Sequence, residues 1–539
     1  MTFDLTGYPT RPVATGDRGM VVCPHHLASA AGLTILQQGG SAVDAAIAVN
    51  AALSVVYPHM TGLGGDSFWL IYSAADSQIH GLNGSGRAGQ AVTREFYAQQ
   101  KLESIPQRGP LAAITVPGTV DAWHQAHQRF GKLDWQQVLQ PAIALAEQGY
   151  LVTASQARWT RRNQETLAAY PGSQTAFLPE GQPPAAGTHL SNPALAQTLK
   201  TLAAEGRDAF YQGRIAQALV SGLQSLGGLL QLDDFAQHCS TWVSPISTAY
   251  RGYQVYEMPP NTQGLAVLQI LNLIEPFDLA EIGLNSADYY HLLVEATKLA
   301  FADRDRWLSD PDFVDIPVET LISKAYSDRR RPQISLTQAS SYLPGSLGGD
   351  TTYSAVVDSE GNGVSLIQSL YFDFGSGVVP AGTGVILQNR GCFFSLDPNH
   401  VNCLEPGKRT FHTLIPAMVT QPDGRLAIVF GTMGGEGQPQ TQAALLTRML
   451  DFGLDPQTAI DLPRWLWGRT WGESSSQLRL EKRIGSDIQA QLQQRQHRLS
   501  LVADWSEQMG HAHAIVIDPQ TGQLRAGCDP RSDGKALGY

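Results

Sequence analysis

The residue pattern changes abruptly at position 351. Pro332 to Asp350 is polar and rich in Ser and Gly, ending Gly345-Ser346-Leu347-Gly348-Gly349-Asp350, whereas the residues from Thr351 onward alternate as in a strand. A chain cut between Asp350 and Thr351 would carry a free α-amine on the same residue as a hydroxyl. That amine, with an unperturbed pKa of roughly 7.7–8.0, can act as general base for its own Oγ, the arrangement of N-terminal threonine nucleophiles. The same Oγ can first attack the Asp350 carbonyl, with ester hydrolysis then freeing the amine. Gly348 and Gly349 give the backbone the freedom this step needs. A purely structural account also exists, since Thr-Thr is a favourable strand start.

The next segment supplies a partner. Asp358-Ser359-Glu360-Gly361-Asn362 reads as a turn between Thr351–Val357 and a second strand, Gly363–Tyr371. With Val357 opposite Gly363, the constant register of an antiparallel pair puts Thr351 opposite Ser369. A second candidate is the loop Gly431-Thr432-Met433-Gly434-Gly435-Glu436-Gly437, between a strand over Arg425–Phe430 and a helix from about Gln440 to Leu450. It reads as a tight turn or as a source of backbone N–H donors for an anion. Its spacing does not match G-x-G-x-x-G, so a nucleotide cradle is not supported.

The elements that must hold these residues are legible in outline. Ala28 to Val56 predicts two helices of small residues broken at Gly39-Gly40-Ser41, with Ser41 as N-cap. Phe68–Tyr72 predicts a strand, Val120–Phe130 and Trp135–Glu147 helices, and Tyr250–Met258 a strand before Pro259-Pro260. Ala266–Leu273 and Ser286–Ala302 predict helices, the latter carrying His291, Glu295 and Lys298. His513–Ile517 with Leu524–Ala526 predicts a final hairpin. Helices outside and β inside is the expected layering. No repeat of solenoid period is present.

Bulk properties exclude several classes. The chain has 539 residues, 43% of them hydrophobic, which is ample for a large core. By length it is three or four domains or one intertwined fold. A net charge of −11 opposes nucleic-acid binding. The one basic run, Arg329-Arg330-Arg331, reads as a solvated surface or a loop flanking a processing site. Cys23, Cys239, Cys392, Cys403 and Cys528 are odd in number, with no CxxC pair, and are expected as free thiols. His25-His26 and His511/His513 lack further ligands at metal spacing, and neither H-E-x-x-H nor G-x-S-x-G occurs, so no metal or cofactor is expected. The N-terminus lacks a secretory pattern and no apolar run reaches ~18 residues; the expectation is a cytoplasmic protein without a membrane span.

From Gly19 to Tyr539 the chain resembles the gamma-glutamyltransferase family of N-terminal nucleophile hydrolases. The resemblance rests on Gly39-Gly40-Ser41-Ala42-Val43-Asp44-Ala45-Ala46, Leu63-Gly64-Gly65, Val116-Pro117-Gly118-Thr119-Val120 and Tyr250-Arg251-Gly252-Tyr253-Gln254-Val255. It continues through Ala302-Asp303-Arg304, Thr351-Thr352, Phe374-Gly375-Ser376-Gly377, Gly434-Gly435 and Asp529-Pro530-Arg531. It implies an α+β fold, a four-layer αββα sandwich. It also implies a large subunit, 1–350, and a small subunit, 351–539, cut from one precursor and held as a heterodimer. Thr351 matches the family nucleophile and Ser369 its supporting hydroxyl, while Gly434 and Gly435 match the oxyanion glycines.

Departures from the family pattern bear on substrate. The family's carboxylate-binding arginine falls at Ser85, with Arg87 two residues on, and its paired serines fall at His412 and Thr413. Its acidic partner for an α-ammonium is Phe393, a usual glutamine is Arg390 and a usual asparagine is Tyr371. Arg87, with His412 and Thr413, is a candidate carboxylate clamp; Tyr371 and Arg390 line the same expected pocket. Losing the counter-charge leaves an ammonium unpaired. The expectation is an acyl group with a carboxylate and no α-ammonium, as in oxamate amidohydrolase of ureide breakdown, the favoured reading, or in dicarboxylic cephalosporin acylases. The alternatives are a gamma-glutamyl transferase or glutathione hydrolase, and an inactive relative that serves as a binding module.

Overall fold

Alternation along the hairpin sorts its side chains to two sides of a sheet. Val356, Val364 and Leu366 join Trp69 and Ile71 under the helices His26–Gln37 and Ala42–Val56. Tyr353, Ala355, Val357 and Ile367 turn the other way, onto Phe68, Leu70, Met258 and Met418. That second set is the filling between two seven-stranded sheets, as a strand period of two requires. The computed structural model describes residues 5, 7–341, 350–468 and 475–539; the Gly345–Gly349 stretch of the expected linker lies outside them.

One sheet runs in the order Lys535–Gly538, Met20–Cys23, Asp350–Val357, Gly363–Tyr371, Asp66–Ser73, Gln78–Gly84 and Thr241–Val243. The other runs Ala14–Gly16, Leu524–Cys528, Ala512–Ile517, Leu426–Thr432, Ala417–Thr420, Tyr253–Glu257 and Ile246–Tyr250. Its outer face carries Ala417, Val419, Ile428 and Phe430 against the helices Gly264–Ile274, Ala287–Trp307 and Gln438–Leu450. The layering is therefore αββα, as expected.

Local signals explain most boundaries. Ser41 caps Ala42–Val56 in a capping box with Asp44, and Ser286 caps Ala287–Trp307. Two expectations change. Tyr250 ends one strand and Tyr253 begins the next, because Arg251 and Gly252 both take positive φ (50° and 84°) and turn the chain. The basic run is not a free loop: Arg330 pairs with Asp303, and the Arg331 guanidinium donates to the Leu273 and Asn272 carbonyls, which end a helix whose carbonyls lack partners. The five cysteines are free, with only Cys239 exposed. Among the described residues no helix is long and apolar enough to cross a membrane.

Candidate active site

Thr351 lies where the hairpin register slips. Val357↔Gly363 through Thr352↔Gln368 pair as expected, and Asp350 pairs with Tyr371, so Thr351 occupies an irregularity between two regular positions. It still meets its expected partner: its Oγ donates to the Ser369 Oγ at 3.3 Å, both side chains buried. Ser369 Oγ also accepts the Tyr371 N–H at 2.8 Å, which holds the serine in place. Gly65, on the neighbouring strand's approach, is required by closeness: a Cβ there would lie 2.2 Å from the Ser369 carbonyl oxygen.

The glycine loop belongs to the facing sheet, at the end of strand Leu426–Thr432. Its carbonyls are tied back. Thr432 Oγ donates to the Met433 carbonyl at 2.6 Å, and Gly437 N–H donates to the Gly434 carbonyl at 2.9 Å. Because each peptide is trans and planar, these bonds turn the Gly434 and Gly435 N–H groups the opposite way. Gly434 has φ 132° and Gly435 φ 54°, the first inaccessible to side-chain-bearing residues.

A buried polar lattice braces the loop from behind. Gln263 Nε2 donates to the carbonyls of Gly435 and Thr413, both at 2.9 Å, while its Oε1 accepts from Arg304. Arg304 in turn pairs with Glu436 at 2.9 Å, both side chains about 1% exposed. Gln263 was not singled out from the sequence, and Glu436 and Arg304 appeared there only within longer motifs. Sequence separation of 132 residues between Arg304 and Glu436 hides such a pair; unpaired polar residues in apolar runs are the only local sign.

The expected substrate residues divide. Arg87 is partly exposed and pairs with Asp312 at 2.8 Å. Arg390 is buried, its guanidinium carbon 4.0 Å from the Tyr371 ring centroid and its Nη1 donating to Thr413 Oγ at 3.3 Å. Among the described residues its Nε and Nη2 have no hydrogen-bond partner. Burial lowers its pKa to about 10, with Tyr371 and Asp66 acting in the other direction. Tyr371 itself has φ 84°, a strained position at the strand end. His412 is buried against Phe68, held well below the usual imidazole range by burial and then by Arg390. Its Nε2 lies 3.2 Å from Asp66 Oδ2. Phe393 is buried between Tyr371 and Phe411, ring centroids 5.2 and 4.8 Å away. Beyond it opens a cavity of about 440 Å³ walled by Phe393, Phe394, Phe411, Leu308, Cys392 and Arg304.

The site thus joins a hydroxyl pair, a braced N–H loop and a buried guanidinium with spare donors, a set suited to acyl transfer on an anionic substrate. The gamma-glutamyltranspeptidase family model matches residues 28–539. The chain is 50% identical over 524 residues to the glutathione hydrolase-like YwrD proenzyme of Bacillus subtilis, covering 97% of this chain and 99% of that one. It is 45% identical over 526 residues to the oxamate amidohydrolase proenzyme of Klebsiella pneumoniae, covering 97% and 98%. The crystal structure of cephalosporin acylase from Bacillus halodurans superposes with a TM-score of 0.92 at 39% identity, covering 100% and 99%. With its N-terminal nucleophile hydrolase fold, the chain belongs to the gamma-glutamyltranspeptidase family and is an amide hydrolase.

Proposed function

We propose that the chain cuts itself between Asp350 and Thr351 into a large subunit, 1–350, and a small subunit, 351–539, which stay together as a heterodimer. The freed Thr351 then hydrolyses a small amide whose acyl group bears a carboxylate. Its Oγ attacks the amide carbon while its α-amine takes the proton. The oxyanion forms against the Gly434 and Gly435 N–H groups, and the proton passes to the departing amine. Water, activated by the same amine, then cleaves the acyl ester. Ser369 holds the Oγ in line. That two relatives, at 50% and 45% identity, are proenzymes by name supports the first step.

The observation that carries the substrate reading is Arg390, a buried cation with two unused donors beside Thr413 and Tyr371. A buried charge without a partner is costly, and a substrate carboxylate supplies the partner in bidentate form. An α-ammonium in the same place would meet Arg390 and the Phe393 ring. Oxamate, an amide joined directly to a carboxylate, is the favoured substrate, giving ammonia and oxalate; such an activity would sit in purine-derived ureide breakdown. A dicarboxylic-acyl acylase is the second reading, favoured by the 440 Å³ cavity beside Phe393, more room than oxamate fills, with Gln107, Arg304 and Asn402 among its apolar walls. The test is ammonia release from oxamate beside anilide release from a γ-glutamyl anilide. Turnover of the anilide with none of oxamate would assign the chain to the glutathione hydrolases of the family instead.

A further inference from the structure

Asp66, at the end of the Leu63-Gly64-Gly65 motif, is absent from the mechanism above, yet four segments around the site converge on it. Its Oδ1 accepts the Gly86 N–H (3.1 Å), the Gly118 N–H (3.1 Å) and Gln388 Nε2 (2.9 Å), and its Oδ2 faces His412 Nε2 at 3.2 Å. On its own strand it pairs directly with Ser369, the residue that holds Thr351. Two of its partners lead straight to the anion-binding groups: Gln388 is two residues before Arg390, and His412 precedes Thr413, the Arg390 acceptor.

We propose that Asp66 is the positioning residue of the substrate-carboxylate subsite, aiming Arg390 through Gln388 and Thr413 through His412, and that it does so in its protonated form. This rests on the reading of Arg390 as the carboxylate's partner. A protonated Oδ2 donates to His412 Nε2, which then carries its ring proton on Nδ1; among the described residues that atom has no hydrogen-bond partner, whichever nitrogen holds the proton. Ionised Asp66 would instead accept from Nε2–H, and its negative charge would compete with the substrate for Arg390. Burial raises the Asp66 pKa to about 7, against the hydrogen bond from Gln388 and the charge of Arg390. The charged or titratable groups that bear on it are His412, Arg390, Arg409 and Tyr211.

Asp66→Asn reproduces the protonated carboxyl, its amide oxygen accepting the three Oδ1 donors and its NH2 donating to His412; Asp66→Ala removes the hub. For oxamate, the wild-type KM rises on the order of tenfold as pH increases through 7. Asp66→Asn keeps the low KM at every pH, and Asp66→Ala has a high KM throughout with kcat within a few-fold. A second arm needs no substrate. Because the folded-state pKa lies above the ordinary carboxylate value of 3.8, the stability that the Asp66 proton contributes is complete below pH 4 and lost as pH rises to 7. The unfolding stability of wild type relative to Asp66→Asn therefore falls over that range and is flat above it. A wild-type KM that is flat across pH 7, an Asp66→Asn KM that tracks the wild type, an Asp66→Ala KM equal to wild type, or a constant stability difference overturns the proposal. If oxamate is not hydrolysed while the stability difference falls as described, the substrate reading fails and the ionisation of Asp66 stands.

Discussion

Arg390→Met separates stability from activity in a direction opposite to most buried substitutions. Burial brings the guanidinium pKa from 12.5 to about 10, and at 1.36 kcal/mol per pKa unit that is about 3 kcal/mol held against the charged form. Against this stand the contact of its guanidinium with the Tyr371 ring and one long hydrogen bond to Thr413, each worth about 1 kcal/mol. Methionine keeps the length and the packing on the ring. The variant should therefore be as stable as wild type or more stable by about 1 kcal/mol, where removing one member of a satisfied buried ion pair costs about 3–5 kcal/mol. Activity moves the other way. Loss of a charge-assisted partner for the carboxylate, about 3 kcal/mol, lowers kcat/KM for oxamate on the order of a hundredfold. Oxamide, the neutral diamide, should change little. Denaturant unfolding and steady-state kinetics on both amides check the pair of effects, and self-cleavage in the same preparations shows that the site is intact. A loss of more than about 2 kcal/mol of stability, or an oxamate kcat/KM within threefold of wild type, refutes the view of Arg390 as an unpaired cation awaiting an anion.

Other expectations are quickly checked. Thr351→Ala should give a single uncut chain with no hydrolase activity by mass spectrometry and ammonia assay; cleavage at the same bond in that variant would point to a separate protease. Ser369→Ala should slow both self-cleavage and turnover about tenfold, since the hydroxyl orients rather than attacks. Gly434→Ala should cut kcat about 10²–10³-fold by rotating the peptide that aims an oxyanion donor, because φ 132° is closed to alanine; KM should move far less. Glu436→Gln should lower stability by about 2 kcal/mol, as read from denaturant unfolding, by replacing a charge-assisted hydrogen bond with a neutral one while Asp305 stays paired with Arg304.

What could be read from the chain alone was what short-range constraints fix. The turn at 358–362 sets a register, and that register put Thr351 beside Ser369 even though a bulge displaces Thr351 from strict pairing. Alternation in the same hairpin separated the helix-covered face from the inter-sheet face, and small residues around Ser41 marked the first helix pair. The runs of family motifs carried the fold, the glycine loop and the expected roles. Charge partnerships were beyond reach, because they join segments hundreds of residues apart whose approach depends on how both sheets and their loops pack. Arg87 had the right chemistry for a carboxylate, but folding brings Asp312 to it across 225 residues. Arg390, expected only to line the pocket, is left without an acid because the residue three positions on is Phe393, and Asp66 is spent on four other segments. A sequence states which groups a site can contain; only the packed chain decides which of them are already satisfied and which still need a ligand.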